Sequence, residues 1–393
     1  MPKPRFVDKQ CMVDTITSPD DPKPEEPQAK DSPSEEASSA PAKRFDWIKQ
    51  RLAGLLPSRD TLRALQTPGG RRAIIAVIGG YSLLTMTLGY YWSLPPDSFD
   101  VVDNRDRYLA PKGQPITGAA STAALLEVTR LLLEKNGGYL SNDITPPGTF
   151  MDNMPSWEYG VLIQSRDLAR ALREVLSRSQ SQSQEDVDLT LAEPRINFQS
   201  TSWALPATES EYKDARRYIN SYLSRLPETG EDSAQFYARA DNLSFWLGMI
   251  EKRLGSLSQR LSASVGQRRI NTDLAGDAAA TQSTLEREEF IVKTPWHEVD
   301  NVYYESRGAA YALIHFLRAA EVDFADVLER KNATVSLRQI IRELEATQQT
   351  VWSPIILNGS GFGIWANHSL VMASYLSRAN AALIDLRELL AQG

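Results

Sequence analysis

Apolar positions along this chain are spaced in two ways, and each spacing predicts a different kind of helix. From Ala73 to Leu94 the run AIIAVIGGYSLLTMTLGYYWSL carries no charge over 22 residues. Further on, apolar residues recur every three or four positions, the spacing of helices with one buried face. Segment 121–135 is apolar on one side and ends at Asn136-Gly137-Gly138, a helix stop. Segment 157–177 lines up Trp157, Val161, Leu168, Leu172 and Val175, and 209–226 continues the pattern. A long helix is predicted over 233–265 from Phe236, Leu243, Trp246, Leu247, Ile250, Leu254 and Leu257, followed by helices at 297–322, 335–349 and 366–391. Strand signals are few: 187–191 and 195–198 predict a short hairpin. Residues 177–186, SRSQSQSQED, are of low complexity and read as a solvated loop, and 267–292 is a polar loop or a frayed pair of helices. No repeat of solenoid period is evident. The predicted fold is mostly α: a single transmembrane helix followed by a large all-α helical bundle with long loops.

The uncharged run is long enough to cross a hydrocarbon core of roughly 30 Å at 1.5 Å per residue. Tyr90, Tyr91 and Trp92 cluster at one end, where amphipathic rings favour the interface, and Pro95 and Pro96 stop the helix. It starts too far along the chain and runs too long for the apolar region of a cleaved signal, so an uncleaved anchor is expected. Lys43, Arg44, Lys49, Arg51, Arg59, Arg63, Arg71 and Arg72 precede it; Asp97, Asp100 and Asp103 follow it. The positive-inside rule then puts the N-terminus in the cytoplasm and the chain from residue 97 outside. The chain divides accordingly into a disordered cytoplasmic tail (1–44), a basic juxtamembrane segment (45–72), the membrane helix (73–94) and an exported helical domain (97–393). Residues 14–42 are too poor in large apolar side chains to offset the entropy of ordering. In FDWIKQRLAGLL, Phe45, Ile48, Leu52, Leu55 and Leu56 share a face, which reads either as an amphipathic helix on the leaflet or as a partly helical linker.

Composition changes this picture little. Of 393 residues 42% are apolar and 24% charged, with a net charge of −7. That acidic balance argues against nucleic acid as a partner. The only cysteine, Cys11, lies in the tail, so no intrachain disulfide and no exported thiol nucleophile is available.

Candidate chemistry is sparse. The loop GYLSNDITPPGTFMDNMPSW between two helices is longer than compact domains usually carry, a length often tied to function. Its polar and aromatic residues Asn142, Asp143, Asp152, Asn153, Trp157 and Glu158 form a candidate ligand or partner surface. Asp143, Asp152 and Glu158 invite comparison with the carboxylate pair of a glycosidase, although turn and cap roles account for the same residues. In 297–322, His297, Asn301, Tyr304, Gly308, Tyr311 and His315 recur at helical spacing, with Glu298 and Glu305 beside them. Those two carboxylates stand about 10 Å apart along one axis, too far to share a metal ion without a third element. Asn367 and His368 open the last helix after the turn Asn358-Gly-Ser-Gly-Phe-Gly363, which lacks the pattern of a nucleotide loop. No catalytic residue, metal site or cofactor is expected.

Three stretches together resemble one family. GGYLSNDITPPGTFMDNMPSWEYGVLIQSRDLARALR, PWHEVDNVYYESRGAAYALIHFLRAAEVDFADVL and NGSGFGIWANHSLVMASYLSRANAALIDLR look like DUF2333, proteobacterial proteins with one N-proximal membrane helix. The resemblance covers most of 70–393 and implies a Gram-negative inner membrane and periplasm; it implies no activity. The expected function is that of an envelope protein whose periplasmic domain binds a partner protein or a cell-wall component such as peptidoglycan. Long helices such as 233–265 also allow a homo-oligomer. The rival expectations are a hydrolase acting on peptidoglycan or a lipid intermediate through loop and helix carboxylates, and an accessory subunit of a transport or secretion assembly.

Overall fold

The computed structural model describes residues 67–109, 116–179, 184–230, 232–270, 289–353 and 355–392. The tail 1–44 and residues 45–66 of the juxtamembrane segment lie outside this set. The chain divides into two compact units, Met1–Ile75 and Ala76–Gly393. Of the first, the described residues open helix α1, Pro68–Trp92. Thr67 caps it through its hydroxyl, which accepts from the Gly70 amide at 3.1 Å, and Pro68 occupies the first turn, where its missing N–H costs nothing. The 25-residue helix is long and apolar enough to cross a membrane, and none of its residues is buried.

Within the second unit the helices are α2 (Val101–Leu109), α3 (Ala119–Glu134), α4 (Asn153–Ala171), α5 (Val187–Ile196), α6 (Thr208–Arg225), α7 (Ala240–Ser262), α8 (Val299–Asp323), α9 (Ala325–Arg330), α10 (Thr334–Ala346) and α11 (His368–Ala391). The centre is α8. Ala309, Ala310, Ala312, Leu313, Ile314, Phe316 and Leu317 are all buried, so this helix is apolar around most of its girth and is covered by α4, α3 and α10. Its closest neighbour is α4. A Cβ on Gly160 would lie 2.0 Å from the Glu305 carbonyl oxygen, and one on Gly308 would lie 2.0 Å from that of Trp157. Glycine at both positions lets the two backbones touch. On the other side α7 packs along α11, and α10 closes against α11.

Two buried polar contacts tie distant segments to α8. Asp323, at its C-terminal end, accepts from the amides of Gly118 (2.9 Å), Ala120 (3.3 Å) and Ser121 (2.6 Å) at the start of α3. Burial pushes its carboxyl up to about 6, against the pull of those donors. Further along, Tyr311 donates its hydroxyl to the Asp97 carbonyl at 2.9 Å, and the Phe99 amide donates to His315 Nε2 at 3.2 Å. With Nε2 accepting, the proton sits on Nδ1, which faces the Tyr311 carbonyl at 2.8 Å. The segment that follows α1 is thereby fastened to the centre of the bundle.

Three expectations are corrected. The hairpin over 187–198 is helix α5: Asp186 accepts from the Asp188 and Leu189 amides, and Leu189, Ala192 and Ile196 are buried at helical spacing. Arg225 of α6 then pairs with Asp186 at 2.8 Å and Asp188 at 2.6 Å, locking the first turn. The long helix expected over 233–265 starts only at Ala240. Before it the chain is held extended: Tyr237 donates its amide to the Leu176 carbonyl, Tyr222 its hydroxyl to that of Gln235, and the Phe236 ring fills the space over Gly118. The loop or frayed helices over 267–292 contain a two-stranded antiparallel ladder instead, β1 (Gln267–Ile270) with β2 (Glu289–Val292), in the register Gln267 to Val292.

Candidate functional site

The long loop is mostly fastened inward. Glu158 is fully buried and meets Lys135, equally buried, at 2.7 Å. The same carboxylate accepts from the Leu140 amide (2.8 Å), the Ser141 amide (2.9 Å) and the Ser141 hydroxyl (2.5 Å), while Lys135 also donates to the Gly138 carbonyl at 2.7 Å. Burial drives the Glu158 carboxyl upward, and Lys135, Ser141 and Leu140 pull it back. Every strong group in this cluster has a partner, so its product is the shape of the loop. Asn142 donates to the Ser202 carbonyl (2.9 Å) and to Glu209 (2.8 Å), fixing the loop to the turn before α6. Asp143 is half-buried beside Gly148, and burial followed by the charge of Glu209 raises its carboxyl. Asp152 is exposed before α4 and Asn153 half-buried in its first turn. Trp157 is interior and packs its ring 5.3 Å from that of Tyr311.

The stripe on α8 is split by its surroundings. His297 and Glu298 are exposed before the helix, 3.7 Å apart, and Asn301 is half-buried. His315 is buried and stacks on Phe99 at 4.1 Å; burial lowers it to about 4, so it is neutral at physiological pH. Glu305 is held by Arg260 of α7 through two bonds of 2.7 Å. The contacts of Trp157 with Gly308 and of Gly160 with Glu305 show α4 and α8 running antiparallel. Asp152 and Glu298 therefore lie at opposite ends of the pair, roughly 20 Å apart by helical rise. Loop carboxylates and the carboxylate at the start of α8 do not face each other. At the last helix, Asn367 accepts from the Leu370 amide at 2.8 Å as its cap, and His368 Nδ1 accepts from the Leu357 amide at 3.1 Å. His368 also borders a smaller hollow of about 330 Å³ with Tyr303, Trp352 and Tyr375.

The principal cleft, of about 590 Å³, opens between α4, α7 and α8. Its wall holds four cations (Arg170, Lys252, Arg253, Arg260) and two carboxylates (Asp167, Glu305). Arg253 pairs with Asp167 at 2.9 Å and Arg260 with Glu305, which raises both guanidinium groups; Arg170 turns to Glu174 outside the cleft. Lys252 is exposed and has no ionic partner among the described residues. The wall also includes Gln164, 1% exposed. Among the described residues it is the one side chain whose amide oxygen and amide nitrogen are both buried without a partner. A buried amide in that state costs about 1–3 kcal/mol, and native proteins retain few such groups. Among the described residues no cluster of three or more histidines, cysteines or acids is set to hold a metal.

Of the residues singled out from sequence, only Glu305 lines this cleft. Gln164 and the α7 cations were missed. A signal existed for the glutamine, which interrupts the apolar stripe Trp157–Val161–Leu168 at a position whose neighbours one turn away, Gly160, Val161, Asp167 and Leu168, are buried.

Fold and cleft together define a mostly helical protein with one long apolar helix near its start and a polar, solvent-open cleft between three helices. Residues 67–393 match the model of a family described as uncharacterized protein conserved in bacteria (DUF2333), and the chain belongs to that family. No curated protein matches it, and no solved structure does.

Proposed function

We propose that this protein is a single-pass membrane-anchored binding protein of the bacterial envelope, with its bundle on the extracytoplasmic side and its cleft open to an anionic, amide-bearing ligand of the cell wall. The observation that carries the reading is Gln164. Its amide offers two donors and an acceptor in the wall of a cleft whose cations outnumber its carboxylates, which suits a molecule combining carboxylate with peptide amide. Acidic peptides of wall fragments have that chemistry. The anchor is supported by the length of α1 and its composition, and the orientation by the basic flank before it and the acidic one after it. Calorimetric titration of the full-length protein in nanodiscs with soluble muropeptides tests the reading. Saturable binding is expected, weakened about tenfold or more in Gln164→Leu, the loss of one to two buried hydrogen bonds. Absence of binding to the wild-type protein, or unchanged binding by Gln164→Leu, overturns it.

A second reading, a protein partner, is favoured by the loop before α11, where Trp352, Phe362, Ile364 and Trp365 are all strongly exposed. Exposed aromatic clusters of this kind mark protein contacts. Crosslinked affinity purification from native membranes should recover a stoichiometric partner with the wild-type chain and lose it with Trp352→Ser plus Trp365→Ser. Recovery of the same partner by both forms removes the loop from consideration.

A further inference from the structure

Loops that lie against the last turns of α1 carry exposed apolar side chains for which the bundle has no use. Pro147 lies 3.6 Å from where a Cβ on Gly89 would stand, and the Trp92 indole covers Gly137 closely enough that a Cβ there would fall 2.6 Å from the ring. Gly89 is three residues before Trp92, about 4.5 Å along the helix axis. Loop 142–150 is thus level with the aromatic end of the apolar helix, where Tyr90 and Tyr91 are exposed. Three residues to either side of Pro147, Ile144 and Phe150 are exposed, the latter at 79%. The bonds from Asn142 to Ser202 and Glu209 bring a second loop to the same place. There Trp203 is exposed and Leu205 is 98% exposed, its backbone held at φ 53. A leucine in that left-handed region bears a steric cost that a glycine would avoid, and water offers its side chain nothing in return.

We propose that loops 142–150 and 203–205 form a second membrane contact, in which Ile144, Phe150, Trp203 and Leu205 enter the boundary between headgroups and acyl chains of the leaflet where α1 ends. The inference rests on the reading of α1 as a membrane-spanning helix. The occupant is the bilayer because these side chains are continuous with a helix apolar enough to sit in one, and mixed tryptophan and aliphatic residues suit the interface. Asp143 and Glu209 lie among them, so the contact is apolar insertion rather than attraction to anionic lipid. It would hold the bundle in one attitude on the membrane, where α1 alone would leave it free to tilt.

Spin labels on the full-length chain carrying Cys11→Ser, reconstituted in phosphatidylcholine vesicles, provide the test. Single labels go to Tyr81→Cys in α1, to Phe150→Cys and Leu205→Cys, and to Val335→Cys, exposed at the start of α10. All four sites are exposed, so the fold tolerates the labels. Tyr81, Phe150 and Leu205 labels are expected to be relaxed strongly by oxygen and weakly by a water-soluble nickel chelate, with a nickel-to-oxygen ratio several-fold below that at Val335. A lipid-like Tyr81 with water-like Phe150 and Leu205 overturns the proposal while leaving the anchor intact. Shielding of the two loop labels from both reagents, the signature of a protein contact, overturns it as well. A water-like Tyr81 removes the anchor and this contact with it.

Discussion

Glu158 and Gln164 sit on one helix, six positions apart, and both are withdrawn from solvent. Around the glutamate every strong donor and acceptor is matched: Lys135, two amides and a hydroxyl converge on one carboxylate. On the glutamine, neither the amide oxygen nor the amide nitrogen is matched. Burial alone therefore says little about role on this helix; the partner inventory separates a group that shapes the loop from one left without a protein partner. One end of α4 is spent on closing 135–158 over the bundle, and the face one and a half turns further on is left chemically incomplete beside an open cleft.

The comparison breaks most sharply at Glu158. Glu158→Gln leaves the Lys135 ammonium buried without its counter-charge, a loss of about 3–5 kcal/mol by analogy with other buried pairs cut at one partner. Denaturant unfolding followed by tryptophan fluorescence reads it. A loss within the range of exposed pairs, about 0–1 kcal/mol, would mean that water reaches Lys135. Gly308→Ala comes next. Its Cβ meets the Trp157 carbonyl, so α4 and α8 must separate, at about 1–3 kcal/mol. Because the cleft lies between those helices, muropeptide affinity should fall with stability, whereas Glu158→Gln should lower stability with little change in affinity of the surviving fold.

Gln164→Leu should act with the opposite sign. Replacing an unpartnered buried amide by a side chain of similar volume removes a desolvation cost of about 1–3 kcal/mol, so the free protein should become more stable while losing the proposed muropeptide binding. Thermal unfolding with and without muropeptide separates the two effects. A destabilised Gln164→Leu would show that the amide is satisfied in the folded state and would dissolve the contrast with Glu158.

Much of the fold was legible because helical periodicity reports burial directly. The spacing over 297–322 predicted the helix that the structure places at the centre, and the uncharged run 73–94 predicted α1. Errors fell where the deciding contact is remote. The alternation in 187–191 fits a strand until Arg225, from another helix, locks Asp186 and Asp188 into a first helical turn. Phe236 continues the α7 stripe in sequence, yet it serves Gly118 instead. The pairing joins the polar segment 267–270 to the mostly apolar 289–292 across 18 intervening residues, and each run is too short for its pattern to announce the partner. The cleft was harder still. Gln164 was visible as a break in a stripe, but its lack of partners depends on what α7 and α8 place around it. Lys252, Arg253 and Arg260 look in sequence like any solvated flank of an amphipathic helix.

His315 supplies the mildest test, as a buried polar group that is satisfied like Glu158 but titrates. Burial holds it neutral down to about pH 4, while in the unfolded chain it takes a proton near pH 6.5. Its folded value is depressed, so its contribution is intact above pH 6.5 and drains away as pH falls from there toward 4. Asp323 runs the other way: raised from 3.8 to about 6, it lowers stability as pH rises through that interval. Wild-type stability therefore mixes two opposed slopes, and the difference between wild type and His315→Gln isolates the histidine because Asp323 is common to both. Glutamine keeps an acceptor for the Phe99 amide but loses the stacked ring, so the wild type should lead at pH 7.5. Between pH 6.5 and 5.5 that lead should shrink by roughly 1.4 kcal/mol at most, one unit of linkage. A lead that is the same at both pH values would mean that the imidazole can accept its proton in place, and that the segment after α1 is held less tightly than the Phe99 and Asp97 contacts imply.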